Sequence, residues 1–520
     1  MQLYCLHFRC YSAKLQQQFA VFCAPVSHLN LEQLKKMARS HTDMSFLNQT
    51  AALLTRWSMR WVPDAWVLAV LLTACAFMLA FFLAPGAGLQ PGLPPLPAEF
   101  GFSRAGALVF YWGSGFWVLA TFAMQMCVLV VGGYVIATSP PMQRLLEWTA
   151  GRPKTPRGAV ALMAFSSMML SFLHWGLSLL ASAMLANAMF RKQQKANRHL
   201  LVAAAYLGLG TTWHSGLSAS APLLVSTPGH FMEKQCGVIP ITETIFHPFN
   251  LALVVIVIAA FTLFVPMLHP ADTELTASNT LPEAADTADH EQPLVPATPA
   301  ERLENSQLIN LLVVFFFGAP FLFLYFTRPS SMPDTSLVYS ILNRINLDTV
   351  NLFFLLLGVL LHRTPASLLK AAKEGGNAVW GIIIQFPFYA GIFGIIQYSG
   401  LQDVLAELFV KTANSGTYPA LVYWYSGILN YFVPSGGSKW AIEAPYIIQA
   451  GTQLDVPRGL VILSYAWGDM MSDIIQPFWA IPLLTITRLK FGDIMGYCLM
   501  IFIPYVILVT VAFLLAPLFF

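Results

Sequence analysis

Charge is what this sequence has least of. Asp, Glu, Lys and Arg make up only 10% of its 520 residues, against 57% hydrophobic residues and a mean hydropathy of +0.63. Soluble domains carry roughly 25% charged residues. A chain this poor in charge cannot cover a water-facing surface, which excludes a soluble globular protein and implies several membrane spans. The net charge of +3 is too small for a nucleic-acid partner, and the basic residues sit in short segments between apolar runs, where they report topology. Cysteine is sparse too. Cys5, Cys10, Cys23, Cys75, Cys127, Cys236 and Cys498 show neither metal-ligand spacing nor a secreted disulfide pattern, so no metal site is expected. There is no H-E-x-x-H, no G-x-S-x-G and no P-loop, so a catalytic reading has little to stand on, a membrane-embedded enzyme is only a third reading, and no cofactor is implied.

Residues 1–43 match neither a signal peptide nor a spanning helix, because Gln16-Gln17-Gln18 interrupts their apolar run; they are expected to be a dispensable extension or to reflect a start assigned upstream of the true one. Arg56-Trp57 and Arg60-Trp61, followed by Pro63 and Asp64, read as an interfacial helix. Spans are expected at about 65–84, 114–138 and 247–268 in a first half, 44–268, and at 307–327, 348–361, 377–397 and 494–518 in a second, 307–520. Basic loops follow 138 and 361. Between the halves, 269–306 holds five prolines, eight acidic residues and no aromatics, the composition of a disordered linker.

Each half contains two interrupted apolar segments. In the first, Gly158–Phe190 is flanked by basic loops on both sides, so it must leave and return on one side of the membrane. Its 33 residues fall short of two full spans of about 20 each, and a re-entrant hairpin is expected, with its tip at Leu173–Ser178. Residues 200–228 are then a broken span, rich in Gly, Ser and Thr and cut by Pro222 and Pro228. In the second half a hairpin is expected over 417–450, broken at Pro434–Ser438, and a broken span over 459–487. Trp213-x4-Ser218-x3-Pro222 parallels Trp467-x4-Ser472-x4-Pro477, while only the first hairpin has basic flanks. Together these predict an all-α polytopic membrane protein with an inverted-topology repeat, two re-entrant hairpins and two broken transmembrane helices.

Backbone breaks at membrane depth are tolerated only inside protein or against water, and intramembrane charges must pair or line a wet cavity. The candidate site is drawn from both. Ser435, Gly436, Gly437 and Ser438 would offer a helix N-terminus to a small carboxylate, or serve only the bend. Lys439 either contacts that substrate or pairs with Glu443 at i+4. Asp469 and Asp473, also four apart, would repel unless a cation lies between them or one is protonated, which with Ser472 makes a site for Na⁺ or H⁺; the other reading pairs one of them with Lys439. Trp175, Gly176, Ser178, Ser215, Gly216, Ser218, Ser220 and Gln476 complete the substrate-binding candidates, and His174 and His214 could carry protons or be satisfied buried groups.

The chain from about Trp57 resembles the short-chain fatty acid transporter family, of the acetoacetate and butyrate permease type. The resemblance is carried by W-V-P-D at 61–64, F-A-M-Q-M at 122–126, H-W-G-L at 174–177, S-T-P-G at 226–229, Q-F-P-F-Y-A-G-I at 385–392, V-P-S-G-G at 433–437, Q-P-F-W-A-I-P at 476–482 and D-I-M-G-Y-C at 493–498. It implies a multi-pass carrier in the bacterial cytoplasmic membrane that imports short-chain monocarboxylates with H⁺ or Na⁺, and, by analogy, a homodimer. A carrier of dicarboxylates or other small organic anions, or an anion channel, are the alternatives.

Overall fold

A computed structural model of the chain describes residues 65–84, 103–270, 298–327 and 337–520, with the single positions 53, 60 and 63. The expected extension 1–43, most of the interfacial helix and residues 271–297 of the linker lie outside the described residues. The described end of the linker is a helical turn, Pro299–Glu304, closed by a capping box between Thr298 and Glu301.

Among the described residues every regular element is a helix. Seven are long and apolar enough to cross a bilayer: Trp66–Leu83, Ala120–Thr138, Pro156–Leu173, Pro248–Leu268, Gln307–Thr327, Trp380–Ser399 and Phe491–Leu518. Leu347–His362 is apolar but shorter. The chain is an all-α polytopic membrane protein. Gln307–Thr327 is 17% buried over its apolar window and turns Phe315, Phe316, Phe317, Phe321 and Phe323 outward, whereas Ala120–Thr138 is 56% buried. Lys439, Glu443, Asp469 and Asp473 all lie inside, on Gly436–Gln453 and on the segment Arg458–Ile474. Lipid accepts the phenylalanines at no cost, while a charge can persist at that depth only behind protein.

Helix–break–helix units form where the sequence interrupts itself. The first hairpin joins Pro156–Leu173 to Trp175–Lys192 across one extended residue, His174. Each arm has 18 residues, a length of about 27 Å, so the arms are longer than the stretch 158–190 implied. The second hairpin joins Tyr418–Phe432 to Gly436–Gln453 through Val433–Ser435. The first broken helix runs Arg198–Thr211, tightens into the 3₁₀ turn Trp213–Ser215 and restarts at Ser220–Val225. The second runs Arg458–Met471, tightens at Ser472–Ile474 and restarts at Ile481–Thr487.

Three expectations need correction. The span expected at 114–138 begins later than expected: a separate helix, Arg104–Gly115, precedes the span Ala120–Thr138. The first ends where it crosses Trp380–Ser399 backbone to backbone: a Cβ on Gly115 would lie 2.5 Å from the Ala390 carbonyl oxygen, and one on Gly394 2.3 Å from that of Tyr111. The basic loops after 138 and 361 contain the amphipathic helices Pro140–Ala150 and Pro365–Gly376, each opened by proline in its first turn. Basic residues at a membrane face suit a surface-lying helix as well as a loop, so charge alone did not separate the two. The linker boundary at 306 also fell too late, since ordered helix begins at Pro299.

Small residues bring the first broken helix onto the first hairpin. Ser167 Oγ donates to the Ala204 carbonyl at 2.7 Å, and a Cβ on Gly208 would lie 2.1 Å from the Ser167 carbonyl oxygen. Gly208→Ala should therefore force the two apart and destabilise the protein by about 1–3 kcal/mol, seen as a lower melting temperature of purified protein. An unchanged melting temperature would mean that this crossing is slack.

Candidate functional site

The tip of the second hairpin is pressed between the two broken helices. Its helix restarts at Gly436, and a Cβ built there would lie 2.6 Å from the Trp213 ring, 2.7 Å from Asp469 Oδ2 and 2.8 Å from His214 Cε1. At Gly437 the same atom would lie 2.2 Å from Phe122. Only glycine lets the backbone come this near. The Tyr465 hydroxyl donates to the Gly436 carbonyl at 2.7 Å and the Trp479 indole to the Pro434 carbonyl at 2.9 Å, so both faces of the tip are tied down. Ser438 Oγ donates to Ser435 Oγ at 2.5 Å across the bend.

One turn further on, Lys439 points into a fully buried charge cluster. Its Nζ lies 3.0 Å from Glu443 Oε1 and 3.0 Å from Asp469 Oδ1, and donates to the Ser426 carbonyl at 3.0 Å. The Tyr465 ring centroid is 4.3 Å away, a cation–π contact. An ammonium has three N–H bonds, and here it meets three oxygens on three elements. The carboxylates' other oxygens are also engaged: Ser426 Oγ donates to Glu443 Oε2, and His214 Nδ1 lies 2.7 Å from Asp469 Oδ2. His214 Nε2 accepts from the Ala221 backbone N–H at 3.1 Å, which leaves the ring proton on Nδ1 and makes His214 a neutral donor to Asp469. Asp473 stands apart from the lysine. It accepts from the Trp213 indole at 3.0 Å and from Asn430 Nδ2 at 2.8 Å, and Asn430 also donates to Ser472 Oγ at 3.1 Å.

The first-half candidates gather at the other side of Trp213. The Trp175 ring packs edge-on against Trp213 at 6.0 Å and Trp479 at 5.5 Å, so that three indoles span the space between the hairpin tips. The Trp175 backbone N–H donates to Ser218 Oγ at 2.8 Å, and His174 caps its own helix by accepting from the Leu177 N–H at 3.2 Å. Gly176 meets the span Ala120–Thr138 so closely that a Cβ on Gly133 would lie 2.7 Å from its carbonyl carbon, and one on Gly216 would lie 2.1 Å from the Phe172 carbonyl oxygen. Ser178 donates to the Ser167 carbonyl at 2.9 Å, Ser215 to the Thr212 carbonyl at 2.8 Å, and Ser220 to Met126 Sδ at 3.7 Å. Gln476 Oε1 accepts from the Phe478 N–H at 2.8 Å. Most of these neutral groups are thus committed to holding the breaks in shape.

The halves exchange matching bonds through the paired tryptophans. Trp213 of the first half donates to Asp473 of the second, and Trp467 of the second donates to Asn250 of the first at 2.8 Å. A family model described as short chain fatty acid transporter matches residues 46–516. The chain belongs to this family. A protein of Escherichia coli K12, provisionally named a short-chain fatty acid transporter, is 35% identical over 455 residues, which cover 87% of this chain and 96% of that one. A protein of Haemophilus influenzae with the same provisional name is 31% identical over 460 residues, 87% and 96% of the two chains. Among solved structures the fold is similar to the YdaH transporter of Alcanivorax borkumensis, with a TM-score of 0.56 at 18% identity, covering 88% of this chain and 98% of that one. It is also similar to MtrF of Neisseria gonorrhoeae, with a TM-score of 0.53 at 16% identity, covering 90% and 97%. This is a family of transporters and not of enzymes, and the buried cluster belongs to a multi-pass membrane transporter.

Four residues of the site were missed from the sequence: Ser426, Asn430, Tyr465 and Trp479. Ser426 and Asn430 did carry a signal, being polar residues four apart on an otherwise apolar arm. Tyr465 and Trp479 carried none, because only packing sets an aromatic ring against an ammonium or a hairpin tip.

Proposed function

We propose that the chain is a secondary active carrier that imports short-chain fatty acids of the butyrate and acetoacetate class across the bacterial cytoplasmic membrane, coupled to H⁺ or Na⁺. The observation that supports it best is the convergence of a hairpin tip, two broken helices and a fully buried cluster of opposite charges at one place. A tip held by ion pairs has two arrangements available to it. Movement of the tip away from Trp213 and His214 would break backbone and charge contacts together, which couples access to the charge state of the cluster. A small carboxylate would then meet the helix N-terminus at Ser435–Ser438, with Trp175, Ser218 and Gln476 on the facing side.

The inverted-topology repeat and the re-entry of both hairpins belong to the same proposal. The reciprocal tryptophan bonds and the matched order of hairpin and broken helix support them. A homodimer is the expected assembly.

The test is uptake of labelled butyrate into proteoliposomes, with an imposed Na⁺ gradient in one series and a proton gradient in the other. Saturable uptake driven by either gradient is the expected result. Unsaturable flux indifferent to both would make the protein a channel, and competition by succinate but not butyrate would move the substrate class to dicarboxylates.

A further inference from the structure

Of the two coupling ions, Na⁺ is the one for which the structure offers a substitute. The place between Asp469 and Glu443 has what a monovalent cation needs: two carboxylate oxygens and one backbone carbonyl oxygen converging from three elements, with an aromatic face at the fourth side. Every other polar atom of the two carboxylates is already met by a neutral donor, Ser426 Oγ or His214 Nδ1. What remains is one position facing Oδ1 and Oε1, and the Lys439 ammonium fills it. The lysine is fixed there by its own helix, one turn before Glu443, and its side chain is 0% exposed.

We propose that Lys439 is a tethered cation occupying the position that a free Na⁺ would otherwise take between Asp469 and Glu443, so that the protein binds no Na⁺ there and needs none to form its closed tip. The charged and titratable groups facing the ammonium are Glu443 on its own helix and Asp469 and Tyr465 on the second broken helix; His214 of the first broken helix and Asp473 stand behind Asp469. The net charge at the position is the same with an ammonium or with Na⁺. The consequence is specific. Removing the ammonium while keeping both carboxylates opens this position to Na⁺, which should then stabilise the variant more than it does the unaltered protein, because a ligand that binds only the folded form raises its stability by mass action.

The inference rests on the same cluster as the proposed transport cycle, and its test needs no substrate. Apparent melting temperature is measured in detergent for the unaltered protein and for Lys439→Ala, in NaCl and in choline chloride of equal concentration, with NaCl titrated into choline chloride at constant total salt. The unaltered protein gives the reference shift between the two salts. Lys439→Ala is expected to melt lower in choline chloride and to recover by several degrees, saturably, as Na⁺ replaces choline. A Na⁺ stabilisation of Lys439→Ala no larger than that of the unaltered protein would overturn the proposal, as would a folded Lys439→Ala protein indifferent to Na⁺. If Lys439→Ala yields no folded protein in either salt, Lys439→Ser, which also removes the ammonium and keeps both carboxylates, is read by the same two outcomes. Failure of butyrate uptake would leave these results standing and count only against the assigned substrate.

Discussion

Asp469→Asn is expected to lower gradient-driven uptake by at least about tenfold and to destabilise the protein by about 3 kcal/mol. Asp469 is the junction of the cluster, taking Lys439 on one oxygen and His214 on the other, with both carboxylate and lysine shut away from solvent. An amide of the same shape keeps a carbonyl for one partner but withdraws the charge, leaving Lys439 only Glu443 for compensation. Breaking a buried pair from one side costs about 3–5 kcal/mol, since the remaining charge stays desolvated without its partner. The lower end applies here because one carboxylate and the Ser426 carbonyl persist. Glu147→Gln provides the contrast. Glu147 pairs with Arg191 at 2.7 Å and Lys192 at 3.1 Å, but these side chains are 41–57% exposed, so its loss should cost less than about 1 kcal/mol and leave uptake intact. Denaturation of the two purified variants beside the unaltered protein, with uptake measured on the same preparations, distinguishes them. Equal effects of the two changes would mean that burial does not govern the energetics of this cluster.

The second large effect is expected from a single methyl group. Gly436→Ala would place a Cβ within 2.8 Å of three groups on both broken helices at once. None can yield easily. The Trp213 ring is stacked on His214 and held by its bond to Asp473, and His214 is bonded at both ring nitrogens. Relief would have to come from the hairpin tip itself, which would lift from its seat. Overpacking of this kind costs about 1–3 kcal/mol, and a displaced tip should abolish uptake even in the fraction that remains folded. Gly132→Ala is the matched control. It adds the same methyl in a helix where nothing lies within 4 Å, so it should be neutral or stabilising by up to about 1 kcal/mol. Uptake and melting temperature of the pair report this directly; an active, stable Gly436→Ala protein would show that the tip is loosely seated.

Much of this architecture was legible because a membrane imposes a simple rule on sequence. Apolar runs of about 20 residues announced the spans at 65–84, 247–268 and 307–327 to within a residue or two. Pro434-Ser435-Gly436-Gly437 announced the second tip, since no continuous helix would carry that run through a bilayer. The amphipathic helices Pro140–Ala150, Pro365–Gly376 and Leu401–Thr412 were not legible as helices, because their charge density is that of a loop. The crossing at Gly115 and Gly394 was hidden for a different reason: a glycine used for close approach and one used for a turn look alike in sequence.

The site divides along the same line. Spacing alone set Lys439 one turn from Glu443, and Asp469 one turn from Asp473, because i and i+4 neighbours share a face on any helix. That burial would force these charges to find partners also followed from sequence, given the cost of leaving them bare in a membrane. Which partners they found did not. Asp469 took Lys439 and His214, while Asp473 took Trp213 and Asn430, and these groups come from three different segments as far as 260 positions away. Sequence by itself determined the membrane class, the breaks and the presence of four charges that must be compensated, because each follows from local composition and the solvent. Only the tertiary structure decided that a lysine lies between two carboxylates beneath a glycine tip, because pairing between distant segments depends on how the helices cross.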